Sequence, residues 1–214
     1  MDIFNQPEVL DKYLMEQSSP EDPVLVELTR HTYLSEVHPR MLSGHILGGF
    51  LQMFSQMIAP MRILEIGTFT GYSAICLARG LKSGGQITTI EINDELRKTA
   101  FHYFEKAGVS SQVQLINGDA LNIIPTLDEA YDLVFIDANK DDYPAYYRLV
   151  FDKVCSGGYI LADNVLWGGK VVDDPTPDHT TRSIQRFNRI ITADQRVQNL
   201  LLPIRDGIMI IKKL

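Results

Sequence analysis

LVFIDANK, residues 133–140, and GGYILADN, residues 157–164, decide the fold. Each reads as a buried parallel strand that delivers polar groups at its C-terminal tip, where open α/β sheets place their chemistry. The tips carry Asp137, Lys140, Asp163 and Asn164. Adjacent strands lie about 4.8 Å apart, so as neighbours these two bring three oxygen-bearing side chains and one amine into a single small volume.

Working outward, the chain from Arg62 alternates strand and helix, the pattern of a parallel sheet with crossover helices. Strands are expected at Arg62–Ile66, Gln86–Glu91, Val113–Ile116, Tyr131–Ile136 and Gly158–Ala162. Helices fall between them at Gly71–Arg79, Asp94–Ala107, roughly Ala120–Leu127 and Asp142–Val154, with Asp94 as N-cap and Gly108 as the stop of the second. Residues 165–180, VLWGGKVVDDPTPDHT, are rich in turn formers and read as a loop before a helix over Thr180–Ala193. A hairpin follows, Val197–Pro203 and Ile208–Lys212, around the Asp206-Gly207 turn.

Residues 1–60 show helical periodicity without strand signals: Glu8–Gln17, Pro23–His38, and a third helix through Leu47, Phe50, Leu51, Phe54 and Ile58 that stops before Pro60. The division is therefore an N-terminal helical extension, 1–60, and an α/β domain, 61–214. The 214 residues, 45% hydrophobic and 22% charged, suit a packed globular chain. No apolar stretch approaches the roughly 20 residues that span a bilayer. The start MDIFNQPEVLDKY lacks the basic end and apolar run of a signal peptide, which points to the cytoplasm. A net charge of −7 argues against nucleic acid and favours a small substrate. Cys76 and Cys155, both in apolar helical patterns, read as free thiols.

The first strand runs into Glu65-Ile66-Gly67-Thr68-Phe69-Thr70-Gly71-Tyr72-Ser73. Glycines at 67 and 71 let a ligand approach bare backbone near a helix N-terminus. A nicotinamide oxidoreductase, the rival with the same sheet, would show G-x-G-x-x-G, and Phe69 breaks that fingerprint. Glu91, 24 residues after Gly67, stands where a carboxylate can accept both hydroxyls of a ribose. Gly118-Asp119-Ala120 suits an adenine, and a helix cap at Asp119 explains it equally.

At the other tips, Asp137, Asp163 and Asn164 form a hard oxygen set for Mg²⁺, Ca²⁺ or Mn²⁺ rather than zinc, and none of the five histidines has H-x-x-x-H spacing. Lys140 has two readings, a surface pair with Asp141 or Asp142, or a base whose pKa falls beside a bound cation. Trp167 either walls a flat ring or packs within its loop.

EIGTFTGYSA, TTIEIN, NGDAL, FIDANKDDY, LADNVLWGGKV and LPIRDGIMIIKK, in that order, resemble the cation-dependent O-methyltransferases of the catechol and caffeoyl-coenzyme A type. The resemblance runs from about Met41 onward. It implies a Rossmann-like class I methyltransferase: an α/β fold whose seven-stranded, mostly parallel sheet carries an antiparallel C-terminal hairpin strand, with N-terminal helices. It implies S-adenosylmethionine and a divalent cation, Mg²⁺ first, as cofactors. Glu65, Gly67, Thr68 and Ser73 then hold the methionine part, Glu91 the ribose, and Asp119 and Ala120 the adenine. Met41 and Ser43, in HPRMLSGHILGG, fall at the sulfonium and at a backbone contact. Asp137, Asp163 and Asn164 match the metal ligands, Asp137 also bordering the donor, and Lys140 the catalytic lysine. Lys140, Asn164 and Trp167 face the acceptor, a small vicinal dihydroxy aromatic; a non-catechol small molecule is the alternative. Gly168 and Asn139 depart from the plant and animal branches respectively, so neither acceptor pocket transfers. The resemblance also implies a homodimer, with Met53 and Phe54 as candidates for its face.

Overall fold

The computed structural model describes residues 7–173 and 175–214. The seven strands are β1 (Arg62–Ile66), β2 (Gln86–Glu91), β3 (Val113–Asn117), β4 (Tyr131–Ile136), β5 (Val154–Asp163), β6 (Val197–Leu202) and β7 (Ile208–Lys213). They form one sheet in the order β3-β2-β1-β4-β5-β7-β6. Strands β1 to β5 are parallel, and β7 enters antiparallel between β5 and β6. This is the expected α/β architecture with its C-terminal hairpin, and β4 and β5 are indeed neighbours.

Alternation along each strand feeds two apolar layers. On one face Ile63, Ile87, Leu115, Leu133, Phe135 and Leu161 pack against helices α2 (Pro23–Ser35), α3 (Gly44–Ile58), α4 (Tyr72–Ala78) and α5 (Arg97–Lys106). On the other, Leu64, Ile66, Ile90, Val134 and Ile136 meet α6 (Ala120–Ile123), α7 (Tyr143–Phe151) and α9 (His179–Ala193). The remaining helices are α1 (Pro7–Glu16) and α8 (Lys170–Asp173).

Several expected boundaries shift for local reasons. The helix read to His38 stops at Ser35, and a 3-10 turn covers Pro39–Met41. Asn93, not Asp94, caps the next start: its side chain accepts the Glu95 N–H at 3.1 Å, and Asp94–Leu96 forms a 3-10 turn ahead of α5. The helix read over Ala120–Leu127 ends at Ile123 because Pro125 imposes a 3-10 turn at Ile124–Thr126. Cys155 lies in β5 rather than a helix, half-buried, where the β4–β5 register slips and residues 155–158 bulge. The expected loop at 165–180 contains α8, and Asp174 within it lies outside the described residues. Phe54 is buried, its ring edge-on to Tyr159 at 5.3 Å, so only Met53 of that pair faces solvent.

Two contacts hold β4 and its neighbours at their tips. Gly67 has φ +100°, and a Cβ there would collide with the Asp137 carbonyl, so glycine alone lets the end of β1 approach that of β4 so closely. Tyr143, fully buried, shares its hydroxyl between the carbonyls of Ile136 (3.1 Å) and Asp163 (2.9 Å), tying β4 to β5. Replacing Tyr143 by Phe leaves both carbonyls without this donor and should lower stability by about 1–2 kcal/mol, seen in urea titration as a lower midpoint with an unchanged m value.

Candidate active site

The strand register sets the site. Ile116, Ile90, Ile66, Ile136 and Ala162 form one row across five parallel strands. One residue further along, Asn117 and Glu91 still pair, and Gly67, Asp137 and Asp163 extend the line. An apolar row thus gives way in one step to a polar one, opening into a cavity of about 930 Å³.

At the β1–β2 end, Glu91 is buried, and its two carboxylate oxygens accept N–H groups of Phe69 (2.7 Å) and Asn93 (2.9 Å). Each oxygen keeps a lone pair for the cavity that it lines. Gly67, Thr68, Ser73, Asp119 and Ala120 line the same end. Asp119 also caps α6 by accepting the Leu121 N–H at 2.9 Å, the helix cap that the sequence offered as one of its two readings. Glu65 sits deeper than the sequence suggested: it is fully buried and does not reach the cavity surface. Its Oε2 accepts from the Thr89 hydroxyl, which meets Thr68 Oγ1 at 2.5 Å, while Oε1 has no partner. Burial pushes the Glu65 carboxyl up to about 8, against the opposing pull of hydrogen bonds from Ser73 and Thr89.

At the β4–β5 end, Asp137, Lys140, Asp163, Asn164 and Trp167 all line the cavity. Lys140 Nζ lies 2.7 Å from Asp137 Oδ1, so its partner is neither Asp141 nor Asp142. Burial works to lower its pKa, yet the charge of Asp137 and the contact with Tyr143 outweigh burial and hold the ammonium above its usual range. Asp163 is almost fully buried, with Oδ1 unpartnered, and burial together with the Asp137 charge raises its carboxyl to about 7. Among the described residues no cluster of three or more His, Cys, Asp or Glu side chains could hold an ion. A cation here would rest on two carboxylates and the Asn164 carboxamide, and the orphaned, charge-starved Asp163 oxygen fits that role.

Residues 39–43 line the cavity, with Met41 largely exposed and Ser43 buried. Tyr72, Tyr146, His38 and Arg205 line it as well, and the sequence did not single them out for the site. Arg205 had only its place beside an Asp-Gly turn to mark it, and its left-handed φ of +51° is invisible in sequence.

A doubly wound sheet with an acid at the tip of β2 and a glycine turn after β1, free of the dinucleotide fingerprint, suits a nucleoside ligand without a pyrophosphate. The O-methyltransferase family model matches residues 15–214. Caffeoyl-CoA O-methyltransferase 5 of Nicotiana tabacum is 32% identical over 98% of this chain and 92% of its own length. A catechol O-methyltransferase of Niastella koreensis is 34% identical, covering 91% of this chain and 90% of the relative. The Streptomyces achromogenes O-methyltransferase TomG, involved in tomaymycin synthesis and solved in complex with SAM, superposes with TM-score 0.88 at 30% identity over 96% of both chains. The chain belongs to the cation-dependent O-methyltransferase family and is an S-adenosylmethionine-dependent enzyme. The nicotinamide alternative is set aside.

The buried Glu65 gives a pH test on the enzyme without donor. In the unfolded chain this carboxyl ionises near its ordinary value of about 4.3, whereas the folded form keeps its proton until about pH 8. Its contribution to stability is therefore fully present below pH 4 and is lost as pH rises to about 8. Glu65→Gln, which cannot ionise, should gain on the wild type in Tm as pH is raised from about 4.5 to 8.5, read by thermal unfolding at several pH values.

Proposed function

We propose that this enzyme transfers the methyl group of S-adenosylmethionine to one hydroxyl of a small catechol-like acceptor in a reaction that depends on a divalent cation. The observation that carries the reading is the pair at the tips of β4 and β5, Asp163 buried with one oxygen unpartnered and Asp137 half-buried with Lys140 Nζ 2.7 Å away. The names of the tobacco and Niastella relatives, a caffeoyl-CoA and a catechol enzyme, support an aromatic acceptor of this kind.

In this reading Glu91 accepts the ribose hydroxyls and Asp119 and Ala120 border the adenine. Gly67, Thr68 and Ser73 receive the methionine end, with Glu65 beneath them, protonated without donor and able to ionise once a sulfonium and an ammonium lie beside it. Met41 lies against the sulfonium and Ser43 offers backbone. Residues 1–60 act as the cover. Asp137, Asp163 and Asn164 would hold the ion, preferentially Mg²⁺. Bound there, it would act as a Lewis acid that lowers the pKa of an acceptor hydroxyl. Lys140 would give up its extra proton to solvent once Asp137 no longer pairs with it, and as a neutral amine take the hydroxyl proton; Trp167 walls the ring, and the cavity excludes water while the acceptor oxygen meets the methyl carbon in line. The new O–CH₃ bond forms as the C–S bond breaks, and opposite charges are neutralised.

The exposed Met53 and Met57 on α3 support a homodimer face, and the absence of a helix long and apolar enough to cross a membrane among the described residues is consistent with a cytoplasmic enzyme.

A methyl-transfer screen over catechols, catecholamines, flavonoids and caffeoyl esters, with and without Mg²⁺, tests the reading. Chelator-treated enzyme should lose turnover and recover it with Mg²⁺. Full activity after chelation would sink the metal mechanism, and turnover only on acceptors without a vicinal diol would sink the catechol assignment. Lys140→Ala should lower kcat by about 10²–10⁴-fold, the span of a lost general base, with donor affinity largely kept.

A further inference from the structure

The turn between β6 and β7 grips both walls of the cavity. Arg205 stands there at φ +51°, a conformation that disfavours any residue with a Cβ. Its Nη1 donates to the Leu42 carbonyl (3.3 Å) and to the Ser43 carbonyl, 163 and 162 residues away in the chain. Both acceptors belong to the 39–43 segment that lines the cavity, and both residues are buried. A trans peptide is planar with C=O and N–H opposed. Holding the Leu42 carbonyl therefore fixes the direction of the Ser43 N–H, and holding the Ser43 carbonyl fixes that of Gly44, where α3 begins.

The next two residues hold the opposite wall. Asp206 accepts the Leu166 N–H on its carbonyl (2.9 Å) and the Gly168 N–H on Oδ1 (2.6 Å), and the Gly207 carbonyl accepts the Val165 N–H (3.1 Å). Asn164 and Trp167 belong to that stretch, and both also have left-handed backbone. A non-glycine residue kept in a disfavoured conformation, with its side chain spent on two carbonyls of a distant segment, marks a position selected for that grip rather than for the turn.

We propose that Arg205 is a positioning residue for methyl transfer, a latch that joins segment 39–43 to the 164–168 wall and keeps the cavity closed over the donor. The inference rests on the reading that this cavity holds S-adenosylmethionine. It predicts that the latch acts on donor affinity more than on the chemical step.

Arg205→Gly isolates the side chain, since glycine adopts φ +51° without strain. Tm should equal or exceed that of the wild type. Binding of S-adenosylhomocysteine, measured by calorimetry, should weaken about tenfold, the scale of one hydrogen bond from a charged donor. The KM for S-adenosylmethionine should rise with it, and kcat should change by less than about twofold if the latch spares the chemical step. Trp167, the single tryptophan, should become more accessible to acrylamide quenching. Arg205→Lys, which keeps charge but not the fork, should recover part of the affinity. Wild-type affinity in Arg205→Gly overturns the latch, as does a parallel loss of Tm and affinity, which would mark a merely structural residue. Glu91→Ala, measured alongside, separates the two assumptions: unchanged affinity there overturns the placement of the donor itself. Should Arg205→Gly not fold, Arg205→Gln carries the same measurements.

Discussion

Two carboxylates at neighbouring strand tips, one buried and one partly buried, are the constraint on which the rest of this structure depends. The parallel pairing of β4 with β5 runs Ile136 against Ala162, so the next step along both strands puts Asp137 next to Asp163. Like charges in a partly desolvated site repel strongly, and the chain answers in three ways: Lys140 is drawn onto Asp137, Asp163 holds its proton up to about neutrality, and the Tyr143 hydroxyl clamps the two strand ends together. Each answer leaves Asp163 Oδ1 without a partner. The arrangement is one in which a positive ion has more to offer than any side chain present.

The cavity rim is built from conformations that most residues avoid. Phe69, Asn164, Trp167 and Arg205, four of the five described non-glycine residues with positive φ, all line it. Such conformations cost about 1–2 kcal/mol each. They persist because the surroundings over-determine them: Glu91 takes the Phe69 N–H, and Asp206 takes the N–H groups on either side of Trp167. The core could be stabilised without these turns, so their cost is borne by the site.

What was legible in the sequence follows from how local each signal is. The strands and their polar tips were readable because an apolar run that ends in Asp or Glu reports burial and exposure within a few residues, which is why Glu91, Asp137 and Asp163 fell together in one cavity. Depth was not readable. Glu65 looks like another tip residue, yet it lies two residues before the polar row, on a face covered by α4, and only the packing reveals that it is sealed. Cys155 was misplaced because a register slip in β5 has no periodicity of its own. Phe54 shares its helix with exposed Met53, and its burial depends on Tyr159, more than 100 residues away. Arg205 was missed because its acceptors are backbone carbonyls, which carry no sequence signature at all.

The position of β7 has a consequence for the order of events during synthesis. It is the last strand in the chain, yet it sits inside the sheet, paired with β5 on one side and β6 on the other, with Asp163 opposite Ile208. While a ribosome is still making residues 200–213, the edge of β5 has no partner and the tip that bears Asp163 and Asn164 has no neighbour on that side. The other half of the cavity, built from β1, β2 and β3, lies well upstream in the chain. The β5 side of the cavity therefore reaches its full sheet context only once β7 has paired with β5.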